Sequence, residues 1–351
     1  MPGSATEKRV RAAFAEQSGW AEKLGSPFMA RLTSLLADRL DRSSETGRRV
    51  LDWPGPPEAG ADNVPLRLCG GLHALVRSGS LPHPADFYPP NEITDGEAFG
   101  AAIETALREA DEALLPWLDG PPQTNEVGRS AVLMAGLLVI ADEFPLPMET
   151  FELGASAGLN MLLDCYAYDL GCLAAGAAGS PLRLVPEWKG AAPPGATVKI
   201  ETRAGVDLRP MDARRDRERL LAYVWPDQPD RIRQLEAALA VAERNPPEVE
   251  RGEAADWLET KLGVPPVGGR TRVVLHSIAF QYFPRGTQER IASMIERAVE
   301  AASPSSPLAW LRFEMVPGEN KPSLRLRSWP GGEDRLLAWA HPHGKWVRWL
   351  L

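Results

Sequence analysis

The sequence predicts an α/β protein: an α-helical N-terminal region over residues 1–120, then a mainly parallel sheet over residues 121–351 that closes on an antiparallel C-terminal edge. Three observations carry this reading. Apolar residues recur at three- and four-residue steps through the first 145 residues, with almost no strand-like alternation. From Met148 onward, short apolar runs alternate with helical stretches, as in a parallel sheet with covered faces. The late runs 324–328 and 336–340 have no long helix between them, which makes them antiparallel neighbours.

Residues 6–40 read as two helices, from Val10, Ala13 and Phe14 and then Phe28, Leu32, Leu35, Leu36 and Leu40. A Pro/Gly-rich loop (53–64) precedes a short apolar helix (66–76), and the four prolines of 81–91 make an irregular wrap. Residues 95–118 are helical again, with Phe99, Ile103, Leu107, Leu114 and Leu115 on one face. An apolar helix follows over 127–142, with Thr124 or Asn125 as the N-cap whose side-chain oxygen takes a free amide. Strand 148–153 feeds a turn of small residues and a helix over 159–168. Further strands are expected at 182–185, 196–202, 247–251, 272–276, 308–313 and 346–351. Helices are expected at 254–262 and 287–302, and a helical insertion around 208–246 is broken at its prolines.

A net charge of −8 lacks the basic face of a nucleic-acid binder. No run approaches the roughly 20 apolar residues needed to cross a bilayer. Cys69, Cys165 and Cys172 are too few and too irregular for a disulfide framework or a zinc site. The expectation is a cytoplasmic protein acting on a small-molecule substrate, without nucleic acid, membrane or metal.

The most informative stretch is Glu152-Leu153-Gly154-Ala155-Ser156-Ala157-Gly158-Leu159-Asn160. A strand, a tight turn of small residues and a helix let a ligand approach the backbone at the carboxyl end of a first parallel strand. A dinucleotide site needs G-x-G-x-x-G, and here the glycines are four apart. Gly154–Gly158 does match G-x-S-x-G, the nucleophile elbow of serine hydrolases, with Ser156 as nucleophile and His276, His341 or His343 as its base. Only helices precede it, however, whereas an elbow normally follows several strands.

The same stretch resembles motif I of S-adenosylmethionine-dependent methyltransferases, with Ser156 in place of the usual central glycine. That resemblance implies a Rossmann-like, methyltransferase-type domain whose cofactor is S-adenosylmethionine. Glu152 would face the methionine amino group, and Gly154, Ala155, Ser156, Gly158 and Asn160 would line the cofactor. An acid after the second strand would bind the ribose hydroxyls; Glu187 is the candidate and Asp207 competes. Glu253 or Asp256 would lie near the adenine. Over most of its length the chain also resembles a bacterial family known only as domain of unknown function 2332. The resemblance rests on Gln123-Thr124-Asn125-Glu126-Val127-Gly128-Arg129, the glycine stretch, Val224-Trp225-Pro226-Asp227-Gln228, Leu275-His276-Ser277 and Pro342-His343-Gly344-Lys345-Trp346.

Asn125, Glu126 and Arg129 give an apolar helix a polar start, either as part of a ligand pocket or as a cap and a surface ion pair. His276, at the end of a buried strand, suits a base near neutral pH, with Glu126 as the alternative base and Tyr282 beside them. His341 and His343, two apart, would share one face of a strand. The expected activity is methyl transfer to a small acceptor; a serine hydrolase and a non-catalytic ligand-binding protein are the alternatives.

Overall fold

The structure, a computed structural model, describes residues 4–319 and 321–351, so residues 1–3 of the expected helical region lie outside the described residues. The chain divides into two compact units, Met1–Thr124 with Glu218–Ile232, and Asn125–Arg217 with Arg233–Leu351.

The described part of the first unit is helical: α1 (Ala5–Lys23), α2 (Pro27–Arg39), α3 (Glu45–Leu51), α4 (Val64–Arg77), α5 (Pro82–Ala85), α6 (Gly96–Glu109) and α7 (Asp111–Leu114). Side chains that take free amides start three of them: Ser4 under α1, Ser44 under α3 and Asp95 under α6. The apolar stripes meet in one core around Phe14, Leu32, Leu36, Leu68, Leu72 and Ile103. Most of α9 (Arg217–Ala222) belongs to this unit, as does the Val224–Gln228 stretch. Asp227 accepts the Phe28 amide at 2.9 Å and the Ser26 hydroxyl, so it caps α2 from a distance. That part of the resemblance is structural.

The second unit is built on a nine-stranded sheet and a small three-stranded one. Its strands are β1 (Met148–Leu153), β2 (Ala167–Leu170), β3 (Leu173–Gly176), β4 (Arg183–Leu184), β5 (Glu187–Lys189), β6 (Ile200–Asp207), β7 (Val249–Arg251), β8 (Thr271–Ser277), β9 (Leu308–Met315), β10 (Pro322–Trp329), β11 (Asp334–Ala340) and β12 (Trp346–Trp349). The large sheet runs β5-β12-β11-β10-β9-β8-β1-β6-β7, and the small one β3-β2-β4. The five strands from β7 to β9 are parallel, and β10, β11 and β12 follow as an antiparallel meander. Helix α8 (Arg129–Glu143) is apolar all round and buried along Ser130–Ala141, as a helix packed on every side must be. Gly136 lets it lie close to β9, because a Cβ there would stand 2.5 Å from the Leu311 side chain. On the other face, α11 (Ala254–Gly263) and α12 (Arg285–Ala298) pack over Phe151, Val274 and Trp310. Helix α10 (Pro229–Arg244) precedes β7.

Two expectations fail here. Residues 159–168 do not form an α-helix; Leu159–Cys165 is a 3₁₀ turn, and the chain continues at once into β2. The strand expected at 182–185 is the two-residue β4 of the small sheet, and the parallel neighbours of β1 are β6 and β8. Sequence spacing did not show β2, β3 and β5, nor that residues 167–184 form a separate small sheet before the chain returns to β6 beside β1.

Candidate functional site

Strand order reverses between β1 and β8, since the chain goes from β1 to one side through β6 and β7 and then crosses to β8 and β9. Outside the carboxyl ends of strands at such a reversal, open α/β sheets bind their ligands. Two non-glycine residues take positive φ there: Ser156 (+54°) after β1 and Ile278 (+47°) after β8. For a β-branched residue this is a strained conformation, of a kind concentrated at functional sites.

The turn after β1 is tied to β6. The Gly154 and Ala155 amides both donate to the Val206 carbonyl, at 2.9 and 3.0 Å. The Ser156 amide donates to Asp207 Oδ2 at 2.9 Å, and Asp207 Oδ1 takes the Arg209 amide. Gly154 and Gly158 both have φ near +72°. A Cβ on Gly154 would lie 2.6 Å from Ala279, and one on Gly158 2.8 Å from Pro247. The faces expected to lie under a cofactor are therefore filled by protein. Tight packing and backbone conformation require these glycines.

The start of α8 gathers the separated motifs. Asn125 does not cap this helix, as expected of it or Thr124; Gly128 occupies the cap position without a side-chain bond. Asn125 Oδ1 instead accepts the Leu159 amide at 2.9 Å, and Ser130 donates to Asn160 Oδ1 at 2.8 Å. Arg129 donates through Nε to the Pro342 carbonyl (3.0 Å) and through Nη1 to the Ser277 carbonyl (2.9 Å). Glu126 is buried and takes the Gly128 amide, so it is not a surface carboxylate. Gly128 and Gly344 meet backbone to backbone; a Cβ on Gly344 would stand 2.1 Å from the Gly128 oxygen.

Glu152 ends this chain of contacts. It is 3% exposed, and its Oε2 is fully enclosed with no hydrogen-bond partner. Burial, reinforced by the nearby Asp207 charge and only partly offset by Arg129, pushes its pKa up to about 8. An unpartnered buried carboxylate oxygen is rare in a folded chain and calls for a physical explanation.

His276 does not present a free nitrogen. Trp310 Nε1, which can only donate, bonds His276 Nε2 at 3.1 Å, and His276 Nδ1 lies 2.7 Å from Glu314 Oε1. The proton therefore sits on Nδ1. Glu314 Oε1 also takes the Ala279 and Phe280 amides at 3.1 Å each. Burial opposes ionisation of Glu314, but the His276 bond and these amides hold its carboxyl below the ordinary range. His276 thus positions the loop after β8, and its assignment as a base is corrected.

The remaining candidates scatter. Glu187 stands on β5, at the far edge of the sheet and paired with Lys189, so the acid beside β1 is Asp207. Glu253 caps α11 after β7 by accepting the Ala255 and Asp256 amides. Asp256, in the first turn of α11, is exposed and bound to Arg290 of α12. Tyr282 is 57% exposed on the loop after β8. His341 and His343 lie on the turn between β11 and β12, not on a strand, and the His343 amide donates to His341 Nδ1. A cleft of about 460 Å³ opens at the amino ends of β8 and β9 beside Arg272 and Leu308, away from this site. Sequence reading missed Trp310, Ile278 and the Gly128–Gly344 contact, which no local pattern signals.

Fold and site together define an α/β protein with a polar, partly unsatisfied site at its strand-order reversal. The family described as an uncharacterized protein conserved in bacteria, domain of unknown function 2332, matches residues 11–349, and the chain belongs to it. No curated protein matches. Among the described residues, no helix is long and apolar enough to cross a membrane, and no group of three or more His, Cys, Asp or Glu is arranged to hold a metal ion.

Proposed function

We propose that the chain is a methyltransferase-type protein that binds S-adenosylmethionine at the carboxyl ends of β1, β6 and β7 and serves methyl transfer to a small acceptor. The observation that carries this reading is the enclosed, unpartnered Oε2 of Glu152 at the end of the first parallel strand. The carboxylates suit the cofactor. Glu152 lacks a donor, which the amino group of the methionine moiety supplies. Asp207, fixed by two backbone amides, keeps lone pairs for a ribose diol. Glu253 stands at the end of the third strand, where the adenine belongs. The glycines fit less well, since their open faces are already filled.

When bound, the cofactor supplies an electrophilic methyl group. The chain's part is to hold donor and acceptor in line, which accounts for much of the barrier reduction in such reactions. With His276 committed to Trp310 and Glu314, Glu126 is the candidate base, and the exposed Tyr282 is the candidate contact for an acceptor.

A second reading has one observation in its favour. Ser156 takes positive φ at the centre of G-x-S-x-G, as on the strained turn of a serine hydrolase. Against it, His276 has no free nitrogen, and a 3₁₀ turn follows where that fold places a helix.

Isothermal titration with S-adenosylmethionine and S-adenosylhomocysteine tests the proposal. Micromolar binding, weakened at least about tenfold in Asp207→Ala, is expected from the loss of a ligand-bonded carboxylate. Absence of binding at millimolar ligand, together with fluorophosphonate labelling of Ser156, would replace it with the hydrolase.

A further inference from the structure

Glu152 is the most buried acid among the described residues. The charged and titratable groups facing it come from three elements. Asp207 at the end of β6 repels its anion. Tyr166, after the 3₁₀ turn, is within electrostatic reach but donates its hydroxyl to the Leu159 carbonyl at 2.6 Å. Arg129 at the start of α8 is the favourable charge, yet its Nε and Nη1 bond the Pro342 and Ser277 carbonyls. An ionised Glu152 would therefore hold one enclosed oxygen without a donor and face another carboxylate. Such a group takes up a proton instead.

We propose that ligand binding and deprotonation are a single event at Glu152: an ammonium group arriving against Oε2 displaces the proton that the carboxyl carries when alone. The O–H bond breaks, the proton passes to solvent, and the carboxylate keeps the electron pair that then accepts the ammonium N–H. This rests on the reading that the site takes the amino-acid end of S-adenosylmethionine. The upward shift of the Glu152 pKa agrees with it. Affinity for an amine-bearing ligand then rises toward tenfold per pH unit between about pH 6 and 7, the limit for one linked proton.

The test is calorimetric titration of the full chain at pH 6.5 in phosphate and in imidazole buffer, which differ in ionisation enthalpy. Close to one proton released per S-adenosylhomocysteine bound is the expected result. The probe 5′-methylthioadenosine, which lacks the amino-acid end, is expected to release none. The Glu152→Gln variant is expected to bind methylthioadenosine as the wild type does, and S-adenosylhomocysteine without proton release. Binding of S-adenosylhomocysteine with no buffer dependence overturns the inference and leaves the cofactor reading intact, as does proton release that persists in the variant. Failure of both nucleosides to bind at millimolar concentration overturns the cofactor reading and this inference with it.

Discussion

Arg129 Nη1 lies 2.9 Å from the carbonyl oxygen of Ser277, which ties the first turn of α8 to the carboxyl end of β8. Its Nε reaches the Pro342 carbonyl from the same planar fork. Lysine has the charge without the fork and reaches only one of the two carbonyls. Arg129→Lys is therefore expected to lower stability by about 2 kcal/mol, the scale of one charge-assisted hydrogen bond. Urea denaturation measures it; a loss within 0.5 kcal/mol, as at an ordinary surface site, would show that the clasp does not hold the site together.

Glu152 makes the opposite prediction for stability. Its folded pKa of about 8 lies above the ordinary 4.5, so the folded chain binds the extra proton between those values. Stability from this group is complete below pH 4.5 and is lost as pH rises toward 8. The full shift corresponds to at most about 5 kcal/mol, from roughly 1.4 kcal/mol per pKa unit. Glu152→Gln, which copies the neutral acid, is expected to match the wild type near pH 5 and exceed it by a few kcal/mol at pH 8 in parallel denaturation curves. Equal pH slopes for the two proteins would refute the buried-acid account. A gain in stability alongside lost ligand binding would mark Glu152 as a residue kept for function.

Much of this architecture was legible in the sequence, and the misses have physical causes. Strands β8 and β9 followed from apolar runs bounded by turn residues, since parallel strands buried on both faces read as continuous hydrophobic stretches. Strand neighbours did not follow, because pairing is set by long-range packing. Glu187 and Asp207 are both acids after a strand, and only the sheet order separates them. The Glu152–Asn160 stretch was singled out as the candidate site, but the packing of its glycines was not foreseen, because the atoms that fill their faces belong to Ala279 and Pro247, far along the chain. His276 read as a free base because its two partners, Trp310 and Glu314, come from the neighbouring strand.

In the helical unit, buried His73 donates through Nδ1 to the Ala222 carbonyl at 3.0 Å. Burial, which outweighs that bond, pulls its pKa down to about 4 from 6.5. Between those values the unfolded chain binds the extra proton, so this contribution is present above pH 6.5 and lost as pH falls toward 4. The expected loss is about 3 kcal/mol across that window. His73→Asn, whose amide can replace the Nδ1 donor, is expected to flatten the dependence in thermal scans from pH 7 to 4. An unchanged slope in the variant would assign the acid sensitivity to other groups.

Glu314 offers the sharpest test of what His276 does. One oxygen, Oε1, receives the His276 ring and the Ala279 and Phe280 amides, so a single carboxylate fixes the loop that begins at strained Ile278. Glutamine keeps an acceptor there but loses the charge, and it places an amide donor where Oε2 now has no partner. Glu314→Gln is expected to cost about 2–3 kcal/mol at pH 7, within the range for hydrogen bonds to a charged group. Because the Glu314 carboxyl is held below its ordinary pKa, its contribution is present above pH 4.5 and lost as pH falls through the depressed value. The difference between the two proteins should therefore shrink toward pH 3. Hydrogen exchange supplies a readout that a distant packing defect would not move: the Ala279 and Phe280 amides should exchange faster in the variant, while those of β9 stay protected. If those two amides keep their protection, the chain from Trp310 through His276 to Glu314 does not hold the loop, and His276 becomes available again as a base.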